Sequence, residues 1–561
     1  MYGLPTTTIA KTTLTSDAAS VTLNVDTSVL SFSGGTNSDP RHLVIRVNSR
    51  PVGSDGSIYL RFNGDTGNNY NYGNILGYDT TEGYEYRENQ SRFWLIATDG
   101  ASNEFGIGEY IVPDAFSTRG HKTLLGMGGR DHGSFGTILQ AGRGANTAAI
   151  TSVTFVDLSG TNIEASSYFE LAVVDESYSI YQGINTGDGH FDTGAGGASI
   201  SAADGDLVVV GSLKSALATV EEVAVYFNDD TTEGNYLRQR LNGHQAEVAA
   251  YSTSTSVMGH AAGGSGNHAE AFGGLVAQVP SFSDTTTNTD RMMVGMAGGH
   301  MSDTGDSDKS EVAQSVVTWD NTAAVTRISI EGRNTADFVA DSMLSIYKVP
   351  KGLITRTELT SSANDVSFTS IPDTYDHLEV TTLARSDRSA TGEAILMSLT
   401  ADGGSKDATD SNYSLQSFMG NGSTASASSN ENEGRAIALG VGDNETANVF
   451  GLVTTTIFNY RLTDRHKSYL SWVGYGDTNS GAEVRINRWK NTAEIDAITI
   501  EPKVGTNFLA GTIIELRGIS TTIPDAPGPA DIKKINGIAA ANIKKVNTIA
   551  KASLGKVNSI T

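Results

Sequence analysis

Apolar and polar residues alternate in short runs along most of this chain. Val153-Thr-Phe155, Ile328-Ser-Ile330 and Ile498-Thr-Ile500 each put two apolar side chains on one face and a polar one on the other. A period of two is the spacing of a strand with one buried face. Clusters of Gly, Asn, Asp and Ser separate the runs and supply the backbone conformations that tight turns need. The pattern predicts antiparallel strands joined by turns. Helical periodicity is scarce. The stretch 216–225 is apolar-rich, but the Val225-Tyr226-Phe227 that closes it suits a strand.

The runs recur in blocks. Thr12-Thr-Leu-Thr-Ser-Asp-Ala-Ala-Ser-Val-Thr-Leu23 aligns without a gap to Thr357-Glu-Leu-Thr-Ser-Ser-Ala-Asn-Asp-Val-Ser-Phe368. Arg41-His42-Leu43 matches Asp376-His377-Leu378, with Gly205-Asp206-Leu207 as a weaker middle copy. Phe62-Asn63-Gly64-Asp65-Thr66, closing on Asn69-Tyr70, matches Phe227-Asn228-Asp229-Asp230-Thr231, closing on Asn235-Tyr236. Leu399-Thr400-Ala401-Asp402, closing on Asn412-Tyr413, reads as the third copy of that block. His121-Lys122 matches His466-Lys467, with Arg291-Met292 between them. Asn146-Thr-Ala-Ala-Ile150, Asn321-Thr-Ala-Ala-Val325 and Asn491-Thr-Ala-Glu-Ile495 are the clearest set.

The blocks keep their order, so the chain divides into copies at 1–175, 176–352 and 353–522. Each holds about eight runs. The expected fold is all-β: three tandem antiparallel β-sandwich domains of jelly-roll type. Residues 523–529 carry Pro524, Pro527 and Pro529 and read as a stiff linker. Residues 530–561 form a basic eleven-residue repeat. Lys534, Lys545 and Lys556 share one repeat position, Ile535, Val546 and Val557 the next, and Asn536, Asn547 and Asn558 the one after. Two readings of this tail stand side by side: a solvated basic tail, or short hairpin units built on pairs such as Asn536-Gly537. Units so short bury no core alone, so the tail is expected to anchor on another chain or to oligomerise.

Charge narrows the partners. The 561 residues carry a net charge of −24. The tail has six Lys against one Asp, so it is +5 and the remainder −29. Such a surface argues against nucleic acid, whose phosphates need clustered cations. No run of apolar residues is long enough for a membrane helix, and the start reads as lacking a signal peptide. The chain is therefore expected to be made in a cytoplasm and to reach any exposed place by assembly. The absence of cysteine removes disulfides and thiolate metal sites.

The search for chemistry yields little. There is no phosphate loop, no His-Glu-x-x-His and no nucleophile elbow. No cofactor and no catalytic residue is expected. The recurring Asp65, Asp230 and Asp402 read as turn caps in preference to calcium ligands. Asp303, Asp306 and Asp308, with Glu311, form a dense oxygen cluster that could hold calcium, although a solvated acidic loop explains it as well. His121 and His466 recur beside a lysine, which suits a strand-end role. The first copy carries aromatics that the others lack: Tyr70, Tyr72, Tyr78, Tyr84, Tyr86, Phe93 and Trp94. Such faces stack on sugar rings or anchor protein interfaces, so Tyr70, Tyr72, Tyr78, Tyr84, Tyr86 and Trp94 are the candidate contact residues.

With these motifs in view, the chain resembles virion structural proteins of tailed bacteriophages, of the tail-fibre and head-decoration type. The Leu-Thr-Ser-x-Ala-x-x-Val-x-Phe opening, Ile371-Pro372, Tyr375, Leu378, Arg385, the Asn-Tyr closure and the Ile-Lys-Lys-Ile-Asn-Gly-Ile538 tail carry the resemblance. It implies a non-enzymatic fibre or spike component at the particle surface, a homotrimer that displays itself and attaches to a host. Its expected partners are other virion proteins, through the tail, and a host surface glycan. Two alternatives follow: a capsid decoration protein, or a carbohydrate-active depolymerase.

Overall fold

A computed structural model describes residues 3–521, apart from 26–40 and short stretches at 54–55, 99–102, 131–135, 158–160, 187–188, 195–199, 201–205, 218–220, 245–246, 264–269, 284–288, 301–309, 334–336, 350–351, 433 and 476–480. In the tail it describes 534–535 and 538–539. Strand dominates, and the helical pieces among the described residues are three-residue 3-10 turns such as Glu176–Tyr178.

Among the described residues twelve strands form between Thr6 and Val174: β1 (Thr6–Thr13), β2 (Ser20–Asn24), β3 (Leu43–Ser49), β4 (Gly56–Phe62), β5 (Tyr70–Tyr78), β6 (Thr81–Gln90), β7 (Phe93–Thr98), β8 (Gly106–Val112), β9 (Lys122–Gly129), β10 (Thr137–Gly144), β11 (Ser152–Asp157) and β12 (Tyr168–Val174). They make a large sheet ordered β1-β12-β3-β8-β9-β10-β5-β6 and a small one ordered β2-β11-β4-β7. The eight strands β1, β12, β3, β8 and β2, β11, β4, β7 have the pairing of a jelly roll. The other four come from two inserted hairpins and widen the large sheet. The expectation of about eight strands was therefore short by these insertions.

The same order recurs twice. In the second stretch the jelly-roll part of the large sheet runs Ser179–Ile184, Met343–Lys348, Leu207–Lys214, Gly273–Val279, and the inserted part Arg291–His300, Ser310–Trp319, Tyr236–His244, Glu247–Thr253. In the third it runs Leu353–Glu358, Ile513–Ile519, His377–Ala384, Gly451–Ile457, then Lys467–Tyr475, Gly481–Trp489, Tyr413–Gly420, Ala425–Asn430. A two-residue bridge joins the second copy's sheets, and the third copy adds the short strand Lys406–Asp407.

Each sandwich has its own core. Leu43, Ile45, Phe155 and Phe169 belong to the first, Val209, Phe227 and Ile330 to the second, Val380, Tyr413 and Ile500 to the third. A fourth core joins all three: Val44 and Met127, Val210 and Val294, Leu452 and Trp472 meet there. Successive residues of a strand point to opposite faces, so Leu43 and Ile45 face their own sandwich while Val44 faces the other copies. This explains why β3 is buried at every position.

The copies contact one another in cyclic order. The N–H of His121, directly before β9, donates to the Glu270 carbonyl of the second copy (2.8 Å). Asp290, in the same place in the second copy, donates to Asn448 of the third (3.1 Å), and His466 of the third to Asn103 of the first (3.0 Å). The three sheets thus surround one axis.

Candidate functional site

The recurring polar residues serve the backbone. Asn146, Asn321 and Asn491 each accept a hydrogen bond from the N–H two residues on, at 2.8 Å in all three copies. That is an Asx turn. Asn63 and Asn228, both at φ 52°, accept from the Thr151 and Thr326 N–H groups across the sandwich. Tyr70, Tyr236 and Tyr413 each place a phenolic oxygen 2.9–3.0 Å from the N–H of Phe62, Phe227 and Leu399. Lys122, Arg291 and Lys467 are buried and donate to loop carbonyls, among them Gly120, Ala323 and Thr492. Burial brings both lysines down to about 8.

The turn carboxylates need one correction. Asp65 accepts from the Gly67 N–H and the Asn69 amide, and Asp230 from the Thr232 N–H, the Asn235 amide and the Trp319 indole. In the third copy this place belongs to Asp407, not Asp402. Asp407 accepts from the Thr409 N–H (3.0 Å), the Asn412 amide (2.8 Å) and the Trp489 indole (2.9 Å). The short strand Lys406–Asp407 lengthens the turn, so the spacing back from Asn-Tyr is the guide, not the match at Ala401-Asp402.

The six candidate aromatics separate. Tyr70, Tyr72 and Trp94 are buried in the first sandwich core, so their side chains offer no open face. Tyr78, Tyr84 and Tyr86 are half-buried. Tyr84 packs on the shared core, and Tyr86 bonds Glu88 at 2.6 Å. Burial raises Tyr70 and Tyr78 to about 12. Asp303, Asp306 and Asp308 lie outside the described residues, while their neighbour Glu311 is paired with Arg240 and His260. Among the described residues no three His, Cys, Asp or Glu side chains come together as a metal site would require. In the tail, Lys534–Ile535 pairs antiparallel with Ile538–Ala539. Asn536, Lys545, Val546, Asn547, Lys556, Val557 and Asn558 lie outside the described residues.

A further set of buried polar groups stands where the copies meet. Arg46 is fully buried and donates to Glu109 (2.9 Å) and Glu170 (3.0 Å). His377 of the third copy meets Glu170 at 3.1 Å. Burial opposes the Glu170 charge, but Arg46 and His377 outweigh it and hold the carboxyl down at about 2. His42 stands in the equivalent place, against the Tyr347 ring of the second copy. Both histidines accept a backbone N–H at Nδ1, from Asp114 and Asn459, and Asp206 does the same for Ser281. Those three donors share positive φ, 52°, 47° and 44°. Among the described residues His42 Nε2 has no hydrogen-bond partner, and burial lowers this imidazole to about 3.

Three glycines complete the axis. Gly77, Gly243 and Gly420 each follow the recurring tyrosine by seven positions. A Cβ on Gly243 would stand 2.5 Å from Ile75 of the first copy, and one on Gly420 2.8 Å from Ala250 of the second. One on Gly77 would stand 3.2 Å from Gln416 of the third. The spacing Asn-Tyr-x6-Gly was present in the sequence as a signal for this contact.

Two clefts open beside the junction of the first and third copies. One, about 430 Å³, is lined by Lys11, Thr12, Tyr168, Asp376, Asn459 and Arg461. The other, about 340 Å³, is lined by Gly3, Arg46, Tyr375, Glu379 and Arg517. Their charged groups are already engaged: Lys11 with Asp376, Arg461 with Glu494, Arg46 with its two glutamates and Arg517 with Glu515.

No family model matches the chain, and no curated protein does. Among solved structures, the mouse laminin alpha1 chain, domains LG4-5, is 9% identical, with 62% of this chain and 91% of that one covered at a TM-score of 0.14. Pseudomonas aeruginosa OccK11 (OpdR) is 9% identical, with 80% and 96% covered at a TM-score of 0.07. Likenesses this slight carry no argument about fold or function.

Proposed function

We propose that this chain is a non-enzymatic virion structural protein of a tailed phage, a fibre- or spike-like component for display and host attachment. The observation that supports it most is the fate of the recurring residues. They are spent on backbone turns, strand ends and buried contacts. Three sandwiches sharing one core make a stiff head, which suits display. The threefold arrangement that the resemblance implies between chains is, in this reading, supplied by three copies within one chain. The basic tail then binds a neighbouring virion protein.

Immunogold electron microscopy of particles, with antibody to residues 3–521, tests the reading. Label on fibres or spikes is expected, and label should vanish when residues 530–561 are deleted. Label on the capsid surface would replace attachment with decoration. Particles without label would overturn the virion assignment, and release of sugars from host polysaccharide by the purified chain would overturn the non-enzymatic one.

A further inference from the structure

The head has two different poles. Each large sheet runs from the first strand of its copy to the edge strand of an inserted hairpin, and equivalent strands of the three copies meet around the axis. At one pole the edge strands β6, Glu247–Thr253 and Ala425–Asn430 touch one another. At the other, Arg517 of the third copy donates to the Val349 carbonyl (2.7 Å) and the Gly3 N–H donates to Glu379 (3.0 Å). The tail continues from this second pole. The Thr521 N–H donates to Asp376 (3.0 Å), and Lys11 donates to the Thr521 hydroxyl (2.5 Å). Six strand spacings separate Ile513–Ile519 from Ala425–Asn430, roughly 30 Å at about 4.8 Å each.

We propose that the far pole, made by β6, Glu247–Thr253 and Ala425–Asn430, is the face that binds the outside partner, and that this partner is an uncharged glycan of the host surface. The inference rests on the attachment reading and on the tail as anchor: a head held at Thr521 points this pole away from the particle. Its chemistry argues for the ligand. The strands read Thr-Glu-Gly-Tyr-Glu-Tyr-Arg-Glu-Asn-Gln, Glu-Val-Ala-Ala-Tyr-Ser-Thr and Ala-Ser-Ala-Ser-Ser-Asn. Hydroxyls, amides and phenols dominate. Tyr251 is 45% exposed, unusual here for so large a side chain, and Tyr86 is partly exposed. Flat aromatic faces with neighbouring hydroxyls and amides suit the C–H faces and hydroxyls of sugars. Glu82, Glu85, Glu88 and Glu247 outnumber the one cation, Arg87, which is itself bound to Glu85. That balance repels polyanions.

The test uses the purified full chain on an array of uncharged and anionic bacterial surface polysaccharides. The wild type should bind an uncharged member. Tyr86→Ala with Tyr251→Ala should weaken that binding at least tenfold, and Ser428→Arg, which adds bulk at an exposed edge position, should do the same. Val504→Lys, at a 61% exposed side chain outside the pole, should leave it unchanged. Melting curves of all variants should superpose, because no substitution enters a core. Full binding by both pole variants overturns the placement and leaves attachment standing. Binding to anionic members alone overturns the ligand class. A wild type that binds no member overturns the attachment reading itself.

Discussion

The first and second copies are joined by a four-residue linker, 175–178, and the second and third by another, 349–352. The third and first copies meet with no linker between them. Three ion pairs cross from one copy to another at this untethered junction: Glu170 with His377, Lys11 with Asp376, and Glu104 with Arg488. Arg465 also lies 4.4 Å over the Phe105 ring there. At the tethered junction of the first and second copies stand neutral contacts: the Thr123 hydroxyl on the Phe272 carbonyl (2.6 Å) and Phe272 against Gly120. A tether raises the effective concentration of its two ends, so apolar packing suffices. Where chain connectivity does not help, directional charged contacts fix the register.

The largest expected effect comes from the buried network. Arg46→Met leaves Glu109 and Glu170 without their cation, and a buried charge stripped of its partner costs about 3–5 kcal/mol. A fall of that size in unfolding free energy by denaturant titration is expected. A loss below about 1 kcal/mol would mean that the network does not govern this junction.

Acid distinguishes the two junctions next. His42 is held near 3 against an ordinary 6.5, so the unfolded chain binds the extra proton first. Its contribution is whole above pH 6.5 and falls away as pH drops toward 3. At pH 4.5 that amounts to about 2–3 kcal/mol relative to pH 7. His42→Asn keeps an acceptor for the Asp114 N–H and should flatten this part of a melting-temperature profile. Glu170, held near 2 against 4.5, acts lower: its contribution is whole above 4.5 and fades toward 2. A profile unchanged by His42→Asn would break the contrast.

Crowding at the axis ranks third. Gly243→Ala drives a methyl against Ile75 and Tyr84, at a cost of about 1–3 kcal/mol. Gly77→Ala meets the flexible end of Gln416 and should cost less than about 1 kcal/mol. Equal losses in thermal melts would show that the two junctions are packed alike. The smallest effect is at the rim. Lys11 and Asp376 are partly exposed, 34% and 41%, so Lys11→Ala should change stability by no more than about 1 kcal/mol, and salt should erase the difference.

Much of the fold was legible in the sequence, and the site much less so. Val153-Thr-Phe155 and its two counterparts announced strands because a period of two is local. Asn146, Asn321 and Asn491 announced turns because an Asx turn closes within three residues. Tyr72 and Trp94 resembled contact residues but are core, since composition does not say which face of a strand looks inward. Asp402 matches the turn aspartates in local sequence, yet Asp407 fills their place, because the inserted Lys406–Asp407 strand shifts the turn without changing its chemistry. Glu170 and His377 stand 207 positions apart, and no motif links them.

The sequence by itself determined the all-β class, the repetition and the turn chemistry, because each is written in residues a few positions apart. Tertiary structure alone decided that both faces of each large sheet are buried, that the copies close around one axis, and where the charges gather. Those outcomes depend on which side chains of one copy come to face the next, and that follows from the rotation between the copies, which no local spacing encodes.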